Sequence, residues 1–303
     1  MKLAIVGNGA IGNLLALKCH IQQQEFSLVT RTQQPFTLVA TDILQHAHNI
    51  QIQPLKFTQL NYADIIVLPV KAYQIADTVA ELKPHLCAKQ TLVLLHNGMG
   101  VIEAVKTLLP SNPIIAATTS HAAYKPSTTT MFETGLGMCH LGYIARGQNS
   151  AAPLISNDTN RDALLTSLLT PCCWHANIEQ ALWDKLAINA VINPLTALHQ
   201  INNGQLAQSQ YHAIIGEICL ETANVMTACG FSAEAGILID RVKQVIEATS
   251  VNYSSMYQDI AHKRQSEIVF INGYICQQAQ IHGINVPVNQ NLLKRITALE
   301  AHY

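Results

Sequence analysis

Charge is scarce in this chain. Only 12% of its 303 residues are Asp, Glu, Lys or Arg, about half the usual fraction, and the formal net charge is -1. With Lys and Arg scattered, there is no electrostatic footprint for nucleic acid and no polybasic patch for a membrane surface. Long hydrophobic runs are missing too. No stretch reaches the roughly 18 apolar residues of a membrane span, and the run Leu3 to Val6 ends at Gly7, too short for a signal-peptide core. A soluble, cytoplasmic protein acting on small molecules is expected. The eight cysteines contain no Cys-x-x-Cys pair and no disulfide-type spacing, so they read as reduced filler, with Cys172-Cys173 at a helix start or turn. Thirteen histidines show neither His-x-x-x-His nor His-Glu, and no metal is expected. Internal repeats and low-complexity tracts are also absent. No feature selects between a monomer and a homodimer.

A chain of this length predicts two domains. Lys2 to Val6 is a short apolar strand, Gly7-Asn8-Gly9-Ala10-Ile11-Gly12 a glycine turn, and Asn13 to Ile21 has helical periodicity. In that setting Gly7 permits a tight turn, Gly9 lets the backbone approach a pyrophosphate, and Gly12 lets helix and strand pack closely. The second strand, Phe26 to Thr30, ends at Arg31 where an NAD-binding chain places Asp or Glu. A guanidinium pairs with a 2'-phosphate, so Arg31 points to NADP. Residues 34–61 read as edge strands and loops without chemistry. Asp64 to Leu68 is a buried parallel strand, after which Pro69 is odd for a ladder and Lys71 stands at the strand's carboxyl end, a place for ligand contact. Thr91 to Leu95 leads into His96-Asn97-Gly98-Met99-Gly100, where Asn97 is either a ligand donor or a turn former. Ile114 to Thr119 is a further strand, with Ala122 just beyond. Thr128 to Glu133 and Met138 to Leu141 predict an antiparallel hairpin closing the sheet, and residues 149–160 a surface connection.

From Arg161 the pattern changes to helices, over 178–199, 208–228, 232–249, 265–282 and after Pro287, interrupted at Ser254 to Asp259. The fold class is α/β: a Rossmann-type, NADP-binding domain over 1–165, then an all-helical substrate domain over 166–303, with the active site expected in the cleft between them. Within the first long helix, Lys185, Asn189 and Asn193 recur every fourth residue. At about 100° per residue they share roughly 80° of arc, a polar stripe flanked by Leu186, Ile188, Val191 and Ile192. Taken alone, a lysine snorkelling from a core helix beside two capping amides is also a sufficient account.

The blocks Gly7 to Gly12, Val70-Lys71-Ala72, His96 to Gly100, Trp183 to Asn189, Asn193 to Ala197, Ser254 to Asp259, and Glu267-Ile268 before Ile271-Asn272-Gly273 stand in one order along the chain. In them the chain resembles, nearly end to end, the ketopantoate reductase family, the NADPH enzymes of pantothenate synthesis. The resemblance implies that Lys185 lies against the ketone oxygen, and that Glu267 contacts the substrate hydroxyl and supports the lysine's charge. It implies that Asn97, Asn189 and Asn193 bind the hydroxyl and nearby polar atoms, and that Ser255 holds the carboxylate. Gly7, Asn8, Gly9, Ala10, Ile11, Gly12, Arg31, Lys71, Asn97, Ala122 and Glu267 match cofactor-contacting positions. Pro69, where the family's strand continues, and Tyr73, often tryptophan, depart from the pattern.

The chemistry of the residues agrees. Hydride delivery to a 2-keto acid builds negative charge on the carbonyl oxygen, and a cation within hydrogen-bond reach stabilises it and supplies the proton. NADPH-dependent reduction of 2-dehydropantoate to (R)-pantoate, on the way to coenzyme A, is the function that the resemblance implies. The alternatives are another branched 2-keto acid as substrate, or a non-catalytic NADP-binding sensor.

Overall fold

The computed structural model describes residues 1–144 and 158–302. The chain divides into two compact units, Met1–His96 with Val101–Glu179, and Asn97–Gly100 with Gln180–Tyr303. The first contains β1 (Leu3–Val6), α1 (Ala10–Ile21), β2 (Phe26–Val29), β3 (Phe36–Thr41), β4 (Ala47–Ile52), β5 (Ile65–Leu68), α2 (Ala72–Leu82), β6 (Thr91–Leu95), α3 (Ile102–Leu108), β7 (Ile114–Thr119), β8 (Ala122–Tyr124), β9 (Thr130–Gly135), β10 (Cys139–Gly142), α4 (Thr159–Leu168) and β11 (Cys172–His175).

A seven-stranded sheet runs β11-β10-β7-β6-β5-β1-β2, parallel from β7 to β2. Every residue of β1, β5 and β6 is buried, which is why those strands are continuously apolar. The second sheet runs β4-β3-β9-β8, and its β3 and β4 come from the stretch 34–61 expected to be edge strands and loops. Helix α1 packs on strands of both sheets, so it is buried nearly all round, from Gly12 to Leu17 and at Cys19.

The expected hairpin between residues 128–133 and 138–141 does not form. β9 pairs antiparallel with β8 in the small sheet, whereas β10 crosses to the large one and pairs antiparallel with β7. The alternation was right for two strands and silent about their partners. Cys172-Cys173 is neither helix start nor turn, since both residues lie in β11, parallel to β10. That pairing keeps α4 and β11 in the first unit, so the division falls after Glu179, later than the expected residue 165. The connection expected over 149–160 lies outside the described residues except for its end, where Asp158 caps α4 by accepting from the Arg161 N–H.

A buried ion pair fixes α1 to β9: Lys18 Nζ lies 2.6 Å from Glu133 Oε1, and the Glu133 side chain is fully enclosed. Lys18→Met leaves that carboxylate without its counter-ion and is expected to lower unfolding free energy by about 3–5 kcal/mol. Urea unfolding at neutral pH checks this. Lys18→Met with Glu133→Leu should recover most of the loss.

The regular structure of the second unit is helical, with no strand among its described residues. It holds α5 (Glu179–His199), α6 (His212–Ala228), α7 (Ala235–Ala248), α8 (Ser255–Ala261), α9 (Asn272–Ile281) and α10 (Pro287–Glu300), with short 3-10 turns. Two expectations change in detail. Ser254 to Asp259 is no mere interruption, because Ser254 caps the short α8 by accepting the Tyr257 N–H at 3.0 Å. The helix expected over 265–282 is a 3-10 turn, Ile268–Phe270, then α9, separated by the non-helical backbone of Ile271. Among the described residues no helix is long and apolar enough to cross a membrane.

Candidate active site

In the first unit the strand order reverses at β1, flanked by β2 and β5. Ligands of open α/β sheets lie outside the strands' carboxyl ends at such a point. Three segments meet there. Gly7 leaves β1 with φ +107°, a conformation that costs an L side chain, and donates its N–H to Val29 O at 2.8 Å. A Cβ on Gly12 would lie 2.1 Å from Gly7 O, so only glycine lets α1 start this close to the turn. Gly9 differs: the nearest atom to a Cβ there is Pro69 O, at 3.9 Å. The fold itself tolerates a side chain at Gly9, and its absence leaves open space before α1, whose first turn has neither a side-chain cap nor an acidic residue.

Pro69 loses its oddity in this setting. The β5 pairings end at Leu68, so Pro69 removes no ladder bond, and it leads with Val70 against the glycine turn. Lys71 then caps α2, half-buried, its backbone N–H reaching Gln74 Oε1 at 3.3 Å. Arg31 stands two residues beyond β2, exposed, and its guanidinium makes no hydrogen bond or ion pair among the described residues. Ala122 opens β8, and just past that strand Lys125 Nζ donates to Asn8 O at 2.6 Å. Lys125 was not anticipated. Its 117-residue separation from Asn8 leaves no local sequence signal, and only the packing of β8 on α1 brings a cation to the glycine turn. Burial pushes its pKa down.

In the second unit Lys185, Asn189 and Asn193 lie on α5 as the spacing implies. Lys185 Nζ donates to Asn97 Oδ1 at 2.8 Å, and Asn97 Nδ2 donates to Glu267 Oε2 at 3.2 Å. One amide thus bridges an ammonium and a carboxylate, its oxygen toward the cation and its N–H toward the anion. Glu267 is 3% exposed, whereas Lys185 and Asn97 are half-buried, so the chain leads from an enclosed carboxylate to a more accessible ammonium. The side-chain amides of Asn189, half-buried, and Asn193, buried, make no hydrogen bond among the described residues.

The backbone places Asn97. Met99 N–H donates to Phe270 O at 2.8 Å, three residues from Glu267, and Gly98 has φ +80° with a would-be Cβ 2.5 Å from the same oxygen. Gly98→Ala must therefore strain the backbone, by roughly 1–2 kcal/mol, and also part the 97–100 segment from Phe270. Turnover is expected to fall at least tenfold, while the thermal midpoint drops by only a few degrees; steady-state assay beside a thermal melt separates the two.

Ser255 is exposed at the start of α8, and its neighbour Ser254 ties that helix to α5 through Thr196, Oγ to Oγ1, at 2.7 Å. A further anchor was not foreseen. Buried Asn272 donates to Ala190 O at 3.0 Å and to Asn289 Oδ1 at 2.9 Å, and Asn289 Nδ2 donates to Glu221 Oε2 at 2.7 Å. Glu221 also accepts the Val288 and Asn289 N–H groups in the first turn of α10, where a carboxylate satisfies free donors and the helix dipole. These groups hold α5 in rotation, and so aim Lys185. Trp183 and Asp184 are structural: Trp183 is buried against Phe231 and Tyr274, and Asp184 pairs with Arg241 at 2.9 Å.

Comparison with known proteins adds the chain's relationships. Family models described as Ketopantoate reductase PanE/ApbA and its C-terminal counterpart match residues 3–146 and 177–300. A 2-dehydropantoate 2-reductase of Vibrio cholerae is 38% identical, over 99% of this chain and 98% of its own. That of Escherichia coli O157:H7 is 35% identical, over 100% and 96%. Among solved structures, D-mandelate dehydrogenase with NADH and anilino(oxo)acetate aligns at TM-score 0.88 over 100% of this chain and 99% of that one; at 22% identity the likeness is one of fold.

Proposed function

Because this chain belongs to the ketopantoate reductase family, we propose that it reduces 2-dehydropantoate to (R)-pantoate with NADPH, in the cytoplasm, as a step of pantothenate synthesis. The single observation that carries this reading is the Lys185–Asn97–Glu267 chain. When bound, the reduced nicotinamide supplies the hydride. The residues of this chain do the rest. As charge grows on the ketone oxygen, the Lys185 ammonium donates a hydrogen bond to it and then the proton. Glu267, acting through Asn97 before substrate arrives, keeps a negative charge near that ammonium and limits the rotamers it samples. Asn189 and Asn193 offer free amides one and two turns along the same helix, suited to the substrate's hydroxyl, and Ser255 offers an exposed hydroxyl to the carboxylate.

The first unit fits a dinucleotide on three counts. Space is left at Gly9, the first turn of α1 is uncapped, and Arg31 is unengaged among the described residues. Arg31 favours a cofactor with a 2'-phosphate, and Lys71, Lys125, Ala122 and the backbone of Gly7 to Gly12 complete the set proposed to hold it. Eight free cysteines suit a reducing compartment.

The fold is shared with a D-mandelate dehydrogenase, so fold does not choose the keto acid. NADPH oxidation by the purified protein should be faster with 2-dehydropantoate than with 2-ketoisovalerate, which lacks the hydroxyl, by about tenfold or more in kcat/KM. Equal values would remove Asn189, Asn193 and Glu267 from hydroxyl recognition and favour a general branched 2-keto acid reductase.

A further inference from the structure

We propose that the β10–β11 edge of the first unit is a transition-metal site, with His140, Cys173 and His175 as ligands for a divalent zinc-like ion. The register pairs His140 with Cys173 and Gly142 with His175. Side chains alternate along a strand, so His140, Cys173 and His175 project from one face of the sheet while Cys139, Leu141, Cys172 and Trp174 join the core on the other. His140 Nδ1 and His175 Nε2 are 2.8 Å apart, and one donor atom from each of the three residues lies within 4.8 Å of the others. Zinc bonds of about 2.0–2.3 Å in a tetrahedron separate ligand atoms by roughly 3.3–3.7 Å. The two imidazole nitrogens, at 2.8 Å, need to part by about half an ångström to reach that range, and the three donor atoms already lie within 4.8 Å of one another.

Gly142 belongs to the design of this edge. A Cβ there would lie 2.4 Å from His175 O and 3.0 Å from its Cβ, so glycine is what lets β11 carry His175 close to β10. Two imidazoles and a thiolate are the donor set of zinc and cobalt rather than of magnesium or calcium. Cys173 is exposed and the histidines are half-buried, which gives an ion a route in and leaves the fourth position to water. Binding releases the thiol proton, and the ring that donates in the His140–His175 contact moves that proton to its other nitrogen, which frees the contact nitrogen's lone pair for the ion. The ligands stand 33 and 35 residues apart in the chain, so no short metal pattern could reveal them. None of them belongs to the groups assigned to cofactor or keto acid.

The test is cobalt(II) titration of the full-length reduced protein, followed by absorption and by zinc competition. One equivalent should give a thiolate-to-cobalt charge-transfer band that zinc bleaches. Cys173→Ser should abolish the band, His175→Gln should weaken binding by more than about tenfold, and Cys87→Ser, altering another exposed thiol, should change nothing. Thermal melts in chelator establish that each variant is folded. A missing band at one equivalent, or a band that survives Cys173→Ser or vanishes with Cys87→Ser, overturns the site.

Discussion

Lys185→Ala should lower kcat for 2-dehydropantoate by about two to four orders of magnitude, the range set by losing a general acid together with the cation facing a developing oxyanion. Affinity for NADPH should stay within about threefold, because Lys185 is assigned to the ketone oxygen and the 2'-phosphate to Arg31. The substitution also removes the ammonium from which the Asn97 Oδ1 accepts, while the Asn97 Nδ2 contact with the enclosed Glu267 is untouched. Some stability is lost as a result, about 1.5–3 kcal/mol for a hydrogen bond to a charged group. Steady-state kinetics with a fluorescence titration of NADPH distinguishes the two effects: a folded variant that binds cofactor and does not turn over is the expected outcome. Near-normal turnover would take the lysine out of the mechanism. Asn97→Ala is the milder companion, since the ammonium remains but its aim is lost.

Arg31→Asp should reverse the cofactor preference. Charge-assisted hydrogen bonds to a phosphate contribute roughly 1.5–3 kcal/mol, so their loss weakens NADPH about 10- to 150-fold. An aspartate at the strand end also repels a 2'-phosphate while accepting from a 2'-hydroxyl, so NADH should bind as well as before or better. Arg31 is exposed and has no structural partner among the described residues, so stability should change by less than about 0.5 kcal/mol. KM for both cofactors, measured at one salt concentration, checks the ratio. An unchanged ratio would reassign the 2'-phosphate to Lys71 or Lys125.

How far the sequence was legible depended on the range of each interaction. The glycine turn and the helical stripe were readable because their logic is local: Gly7, Gly9 and Gly12 act within six residues, and Lys185, Asn189 and Asn193 within nine. Strand partners were not. The alternation of residues 130–135 and 139–142 is the same whether they pair with each other or enter different sheets, and what decides is burial against α1 and the open edge beside β7. Pro69 looked anomalous only while its strand was thought to continue. The bridge from Lys185 through Asn97 to Glu267 spans 88 and 170 residues, so the stripe could nominate Lys185, the strand end Asn97 and the family resemblance Glu267, but not their order. Lys125 on Asn8, and Asn289 and Glu221 behind α5, left no sequence signal, and Asn272 stood in a matching block without a role, since a lone lysine and scattered amides look like solvated surface until the fold encloses them.

Lys185 as the group that meets the reacting oxygen is tested most directly by a crystal structure of the protein with NADP+ and pantoate. The expected result is Lys185 Nζ within about 3 Å of the pantoate 2-hydroxyl, with the Lys185–Asn97 contact lengthened or shared and Asn189 or Asn193 on the terminal hydroxyl. A 2-hydroxyl held by other groups, with Lys185 still turned to Asn97 as at 2.8 Å here, would contradict it.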